Sequence, residues 1–247
     1  MTERPAAGRF YDRTAEYVAV LLKPAWEGLG PALADALAGL CTVEGQPIVD
    51  VGAGSGLGTE VIAKACPDAE ILAVEPNPAL RTALLSRVAG NGPLAERVTV
   101  VGTDLLSAML PDRIAGLVGM NVIGHFDPKE REALWTLLAT KLAPRGRAVL
   151  NLYPPTRPEP VPPTPMAEVR LGRRRYTGTS AAEPAGEDAI TWRMSYRVEQ
   201  DGRAVTEFTA SDRWYVFTPE RLAVELAEHG LRVTAGDATH GLRIITR

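Results

Sequence analysis

The stretch Ile48-Val49-Asp50-Val51-Gly52-Ala53-Gly54-Ser55-Gly56-Leu57-Gly58-Thr59 decides the fold. Residues 48–51 read as a short apolar strand. It runs into a turn with glycine at positions 52, 54 and 56, and a helix is predicted from about residue 57 to 65. Residues without a Cβ let the backbone of such a turn pass close to a ligand. The unpaired N–H groups at the start of the following helix can receive a carboxylate. Twenty-one residues beyond Gly54, Glu75 stands at the tip of the next predicted strand, 71–75, where its carboxylate can accept both hydroxyls of a ribose.

Outward from this turn the same alternation continues. Strands are predicted over residues 98–101, 116–121 and 147–153. Asn77-Pro78 opens a helix, since Asn accepts from free N–H groups and Pro at the first helical position needs no donor. Asp127-Pro128-Lys129-Glu130 has the spacing of a capping box, and its helix should run to about Leu142. Upstream, Val18, Leu21, Leu22, Leu29, Leu33, Leu37 and Leu40 recur at helical spacing, with Pro24 and Pro31 expected to break the run. Downstream, Thr218-Pro219-Glu220 caps a last helix ending at His229-Gly230, and strands over 231–235 and 242–246 close the chain. This order predicts an α/β fold with a doubly wound, mostly parallel, seven-stranded Rossmann-like sheet.

The texture changes after the fifth strand. Residues 154–165 hold seven prolines and read as a stiff extended connector. Residues 166–217 alternate as strands do. Ile190, Trp192, Met194, Tyr196 and Val198 share one face, and Asp201-Gly202 is a hairpin turn. The expectation is an antiparallel β cap inserted after strand five, so that residues 1–153 and 218–247 form the core and 154–217 the cap.

Composition narrows the function. The 247 residues suffice for one α/β domain with a small insertion, and a net charge of −3 provides no basic field to hold nucleic acid. No apolar stretch is long enough to span a bilayer and the start, MTERPAAGR, has no apolar leader, so no membrane partner and a cytoplasmic location are expected. Cys41 and Cys66 read as buried apolar residues, and the few His, Cys and acidic residues lack metal-ligand spacing. Four Lys against 23 Arg suggest a GC-rich bacterial source.

A dinucleotide dehydrogenase would share several of these features. Two details oppose it. The spacing is G-x-G-x-G, with Leu57 or Thr59 at the third place of G-x-G-x-x-G, and Asp50 would crowd a pyrophosphate. A third acid, Asp104, follows the strand over 98–101, placed to accept from an adenine amino group, with Leu105 beside it to cover the ring.

The order Asp50-x-Gly52-x-Gly54-x-Gly56, Glu75 after strand two, Asp104 after strand three and Asn121 at the end of strand four resembles the class I S-adenosylmethionine (SAM)-dependent methyltransferases, in the small-molecule, bacterial branch. That resemblance implies SAM as cofactor. Gly52, Ala53, Gly54 and Gly56 would line its methionine half, with Asp50 suiting its cationic groups. Glu75 and Pro76 would lie at the ribose, Asp104 and Leu105 at the adenine, and Asn121 beside them. The opening Phe10-Tyr11-Asp12-Arg13-Thr14-Ala15-Glu16-Tyr17 is similar to the entry segment of small-molecule members, where an aromatic lies over the cofactor, making Tyr11 and Tyr17 candidates; helix packing is the other reading for both.

Methyl transfer is an in-line displacement, for which the protein mainly holds the partners in line. A general base is needed only where the acceptor loses a proton. His125 follows strand four at the carboxyl edge of the sheet and is the candidate base; a turn cap or packing on the cofactor is its alternative role. The cap carries seven of the chain's 14 aromatic residues. Trp192 and Tyr196 are expected to face a small, partly hydrophobic acceptor, while the other rings fill the cap's own core. The run Arg170, Arg173, Arg174, Arg175 reads either as an anion holder or as a solvated face. The expected function is methyl transfer to an O, N or C nucleophile of a small, partly hydrophobic metabolite in bacterial specialised metabolism, by a monomer or homodimer. The alternative is a SAM-binding enzyme of the same fold with a non-methylating reaction such as a cyclisation.

Overall fold

The computed structural model describes residues 6–40 and 42–247, with side chains from Phe10 onward; Cys41 lies outside the described residues. Two helices lead the chain, α1 (Ala6–Leu21) and α2 (Lys23–Leu37). Pro24 sits in the first turn of α2, but Pro31 lies inside it and does not end it. An interior proline forfeits a hydrogen bond and costs about 3 kcal/mol. Burial of Leu29, Leu33, Ala36 and Leu37 on either side offsets that loss.

The core alternates as expected: β1 (Ile48–Val51), α3 (Leu57–Ala65), β2 (Ile71–Val74), α4 (Pro78–Ala89), a short α5 (Gly92–Ala95), β3 (Val98–Val101), β4 (Ile114–Gly119), α6 (Pro128–Lys141) and β5 (Leu142–Asn151). Asn77 accepts from Ala79 and Leu80 N–H at the head of α4, and Asp127 with Glu130 makes the reciprocal capping box of α6. Two boundaries differ from the sequence reading. β4 begins two residues early and stops at Gly119, while β5 starts directly where α6 ends, through an irregular pairing with β4 between Ile114 and Gly116.

The cap follows: β6 (Val161–Leu171), β7 (Arg174–Pro184), β8 (Ala189–Gln200) and β9 (Arg203–Tyr215), paired antiparallel in that order. The supposed connector is partly strand, since β6 takes in Pro162, Pro163 and Pro165. This is an edge strand with only β7 as neighbour, a place where proline's missing donor is tolerated. Asp201 and Gly202 turn the β8–β9 hairpin with positive φ at both, as a type I′ turn requires. The arginine run is a solvated, paired face: Arg173 meets Asp201 at 2.6 Å, Arg175 meets Glu199 and Glu168, and Arg170 meets Glu168.

The chain returns through α7 (Pro219–Glu228), β10 (Arg232–Ala235) and β11 (Leu242–Thr246). The main sheet has the order β10-β11-β5-β4-β1-β2-β3, parallel except for β11, which runs against both β5 and β10. One apolar layer packs α2, α3 and α4 on one face, around Leu33, Ile62 and Leu84; a second packs α6 and α7 on the other, around Trp135, Leu138 and Leu222. The strand order reverses between β1 and β4, so their carboxyl ends open a crevice there. No helix among the described residues is long and apolar enough to cross a membrane.

Candidate active site

That crevice holds a cleft of about 560 Å³, lined by the β1–α3 turn, the ends of β2, β3 and β4, and α1 and α2. Its floor is the glycine turn. Gly52 and Gly54 have φ of +61° and +59°, a conformation a side chain rarely adopts. A Cβ on Gly52 would stand 2.8 Å from Val122 Cγ2, while one on Gly54 would meet only the Gly52 carbonyl at 3.8 Å, leaving that side open. Ala53, whose N–H is held by the Val74 carbonyl, completes this wall.

Glu75 ties the turn to the end of β2. Its Oε2 accepts from Gly54 N–H at 2.9 Å and its Oε1 from Asn77 N–H at 2.7 Å. Burial pushes its carboxyl above the ordinary range against those two bonds. Each carboxylate oxygen keeps a second lone pair, so Glu75 can hold the turn and accept from a ligand hydroxyl at once. Pro76 follows on the rim. Asp104 caps the short 3₁₀ turn Leu105–Ser107 through Ser107 N–H, and both Asp104 and Leu105 line the cleft. Asn121 lines it as well, at φ +54°, held there by two hydrogen bonds with Asn151 of 2.6 and 2.7 Å. Asn is among the few residues with a side chain that accept this conformation.

Several expected site residues lie elsewhere. Asp50 is buried beneath the turn rather than in the cleft wall, and accepts from the Thr59 hydroxyl at 2.6 Å. Burial raises its carboxyl to about 7. Gly56 faces away from the cleft: a Cβ there would run into Leu84 and Arg87 of α4. Tyr17 packs in the cap against Tyr196, Phe208 and Tyr176. Tyr196 is the fully buried centre of that cluster, and Trp192 packs with Ala182, Ile190 and Val216. Neither Trp192 nor Tyr196 reaches the cleft, because the face they share is the cap's own core.

Of the aromatics expected at the site, Tyr11 is the one that does. Its hydroxyl lies 3.1 Å from His125 Nε2, and both residues line the cleft. His125 occupies the 3₁₀ turn Ile123–His125 after β4, with the Trp214 ring edge-on at 4.7 Å between centroids. Burial lowers its imidazole from the ordinary 6.5 to about 4, so the ring is neutral near pH 7. Burial raises the Tyr11 phenol, which therefore stays protonated near pH 7.

Three groups at the site are not singled out by the sequence reading. Trp26 of α2 lines the cleft, with its ring 3.0 Å from where a Gly58 Cβ would be. It extends the apolar stripe from Leu22, so helical spacing carries its signal. Glu130 doubles as capping-box member and lining residue. Asp212 of β9 is buried near His125; its signal is an acid among Phe208, Ala210 and Trp214 on the inward register of the strand.

With this geometry in place, comparison with known proteins identifies the fold. Residues 48–146 match the family model of a methyltransferase domain. The chain has the fold of the class I methyltransferases. Among solved structures it is similar to the SAM-bound amino pentose methyltransferase CalS10 of Micromonospora echinaspora, involved in calicheamicin biosynthesis, at 21% identity and TM-score 0.71, over 90% of this chain and 91% of that one. It is similar to DesVI of Streptomyces venezuelae at 21% identity and TM-score 0.69, over 98% and 96% of the two chains. The sugar N-methyltransferase KedS8 of Streptoalloteichus follows at 18% identity and TM-score 0.65, over 90% and 85%. No curated protein matches the sequence.

Proposed function

We propose that this chain is a SAM-dependent N-methyltransferase whose acceptor is an amino group on a small, sugar-like metabolite. The observation that carries this reading is the electrostatic character of the cleft. Among the described residues that line it are Glu75, Asp104 and Glu130, none is Lys or Arg, and the neutral Tyr11–His125 pair stands in the same wall. Such a lining favours a cationic cofactor and an amine, and offers nothing to a phosphate.

The residues fit SAM. The open side of the Gly52–Gly54 turn would receive its methionine end, the remaining lone pairs of Glu75 would accept the ribose hydroxyls, and Asp104, with Leu105 beside it, would accept from the adenine amino group. SAM supplies a methyl group already activated on a sulfonium. An acceptor amine reaches the wall as an ammonium and has no lone pair until it sheds a proton. Neutral His125 Nε2 takes that proton by way of the Tyr11 hydroxyl, which gives its own proton to Nε2 and receives the acceptor's. The cap covers this end through β9 and keeps bulk water from the wall. Amino-sugar acceptors of the structural relatives CalS10 and KedS8, named as amino pentose and sugar N-methyltransferases, support the same acceptor class.

The test is calorimetric titration with SAM, followed by a panel of amino sugars and their hydroxyl analogues scored for S-adenosylhomocysteine and methylated product. Micromolar SAM binding and methylation of amino members alone are expected. Folded protein that ignores SAM would defeat the reading, and methylation of hydroxyl members alone would defeat the choice of nitrogen.

A further inference from the structure

His125 Nδ1 is buried, and it has no hydrogen-bond partner among the described residues. The nearest charged oxygen is Asp212 Oδ2, at 3.5 Å. We infer that Asp212, a residue of the cap, is the positioning partner of His125: its carboxylate accepts the Nδ1–H and so leaves Nε2 as the bare nitrogen facing Tyr11. This rests on the methyl-transfer reading above for its purpose, though not for its geometry.

Two features place the carboxylate there by construction. Along β9, Ser211 and Arg213 are exposed while Asp212, opposite Trp192 on β8, is only 8% exposed, so strand alternation turns it inward. The adjoining inward residue, Trp214, locks β9 onto the His125 turn. Its indole fills the space beside Gly124, where a Cβ would lie 1.9 Å from the ring. Burial also holds the Asp212 carboxyl up to about 6, so it is charged at neutral pH while the imidazole is not. A gap of 3.5 Å closes with a small rotation of either side chain, and catalytic hydrogen bonds commonly tighten only when ligands bind.

The consequence is a direction for the proton. A neutral imidazole carries its proton on one nitrogen, and which one is set by the bond the other makes. With Nδ1–H on Asp212, Nε2 accepts from Tyr11 and the proton path runs from cleft to imidazole. With the other tautomer Nε2–H would donate to Tyr11 and the path would be blocked. Once Nε2 is protonated, the imidazolium faces a buried carboxylate, and the ion pair favours that state. The sequence puts these partners 87 positions apart on different units, so the base is complete only with the cap in place.

The groups that titrate around the ring are Tyr11 from α1 and Asp212 from β9, with Glu75 and Glu130 along the same cleft. Long-range ¹H–¹⁵N spectra of the full chain, with His125→Gln to assign the ring among three histidines, read the tautomer directly. The expected wild-type signal is Nδ1–H. Asp212→Ala should lose that preference. Asp212→Asn should keep it, since an amide oxygen still accepts, yet lower the proton affinity of His125 at least tenfold, with Asp212→Glu restoring it. An Nε2–H tautomer in the wild type, or an unchanged tautomer and titration in Asp212→Ala that retains its near-ultraviolet dichroism, would overturn the inference. SAM affinity measured on the same samples should be equal between wild type and the Asp212 variants. Its absence from wild type would defeat the methyl-transfer reading instead and leave the tautomer result to stand alone.

Discussion

The Tyr11 hydroxyl and His125 Nε2 meet at 3.1 Å across 114 residues of sequence, joining the first helix to the turn after β4. The phenylalanine substitution isolates that contact, because it keeps the ring and deletes only the hydroxyl. Tyr11→Phe should leave SAM affinity within about twofold and lower methyl transfer by about 10²–10⁴-fold, the usual scale for acid–base catalysis. Rates of S-adenosylhomocysteine release against calorimetric SAM affinity separate the two effects. Near-normal turnover would remove the hydroxyl from the proton path.

Glu75 has two loads, the glycine turn and the ribose. Glu75→Ala should weaken SAM binding by about 1.5–3 kcal/mol, the range for a hydrogen bond to a charged group. Because Gly54 and Asn77 N–H also lose their acceptor, the thermal midpoint should fall too. Unchanged SAM affinity by calorimetry would refute the ribose assignment.

Asp50 gives the protein a pH dependence with a definite sign. Its folded value of about 7 lies above the ordinary 3.8, so the folded state binds a proton that the unfolded chain releases. That contribution is complete below pH 3.8 and is lost as pH rises through 7. His125, lowered from 6.5 to about 4, works the other way, and its contribution is lost as pH falls from 6.5 to 4. Asp50→Asn, which can still accept from Thr59, should therefore flatten the loss of thermal stability between pH 5 and 8. SAM affinity should rise over the same interval in wild type, as the carboxylate ionises beneath a cationic ligand, and stay level in the variant. A variant with the wild-type slope in both measurements would reassign the titration.

Gly124 is the contact through which the cap and the core fit. Gly124→Ala puts a methyl group into the Trp214 indole. Overpacking of this kind costs about 1–3 kcal/mol and sometimes more. Chemical denaturation should show that loss, and the double variant Gly124→Ala/Trp214→Ala should be less sensitive to the added methyl than the single one. Additive effects would mean that the two residues do not share the space.

Glu225 neutralises a buried cation. Its carboxylate receives Arg131 through Nε and Nη2 at 3.1 and 3.0 Å, and Trp135 Nε1 at 3.0 Å, while Arg131 is 1% exposed. Glu225→Ala strands the guanidinium between α6 and α7 and should cost about 3–5 kcal/mol in denaturant titration. A loss below about 1 kcal/mol, the value of a solvent-exposed pair, would show that water reaches the site.

What the sequence by itself determined is whatever depends on neighbours along the chain. The Ile48–Thr59 strand, turn and helix, the caps at Asn77, Asp127 and Thr218, the Asp201-Gly202 hairpin and the shared face of Ile190 to Val198 are all local. Propensity, capping and the two-residue period decide them, so they read directly from residue order. Glu75, Asp104 and Asn121 reach the cleft for a related reason: a parallel sheet brings its strand ends to one edge, and each stands at such an end. Tertiary structure decided which way side chains on one element point. Tyr11 and Tyr17 share α1, yet six residues at about 100° each turn them about 120° apart, so one meets the cleft and the other the cap. Trp192 and Tyr196 lie on the face correctly read as apolar, but that face covers the cap's own core. Asp212 became part of the base only because β9 lies across the His125 turn. Strand alternation settled that its side chain turns inward, and the docking of two separate sheets settled what it would meet there.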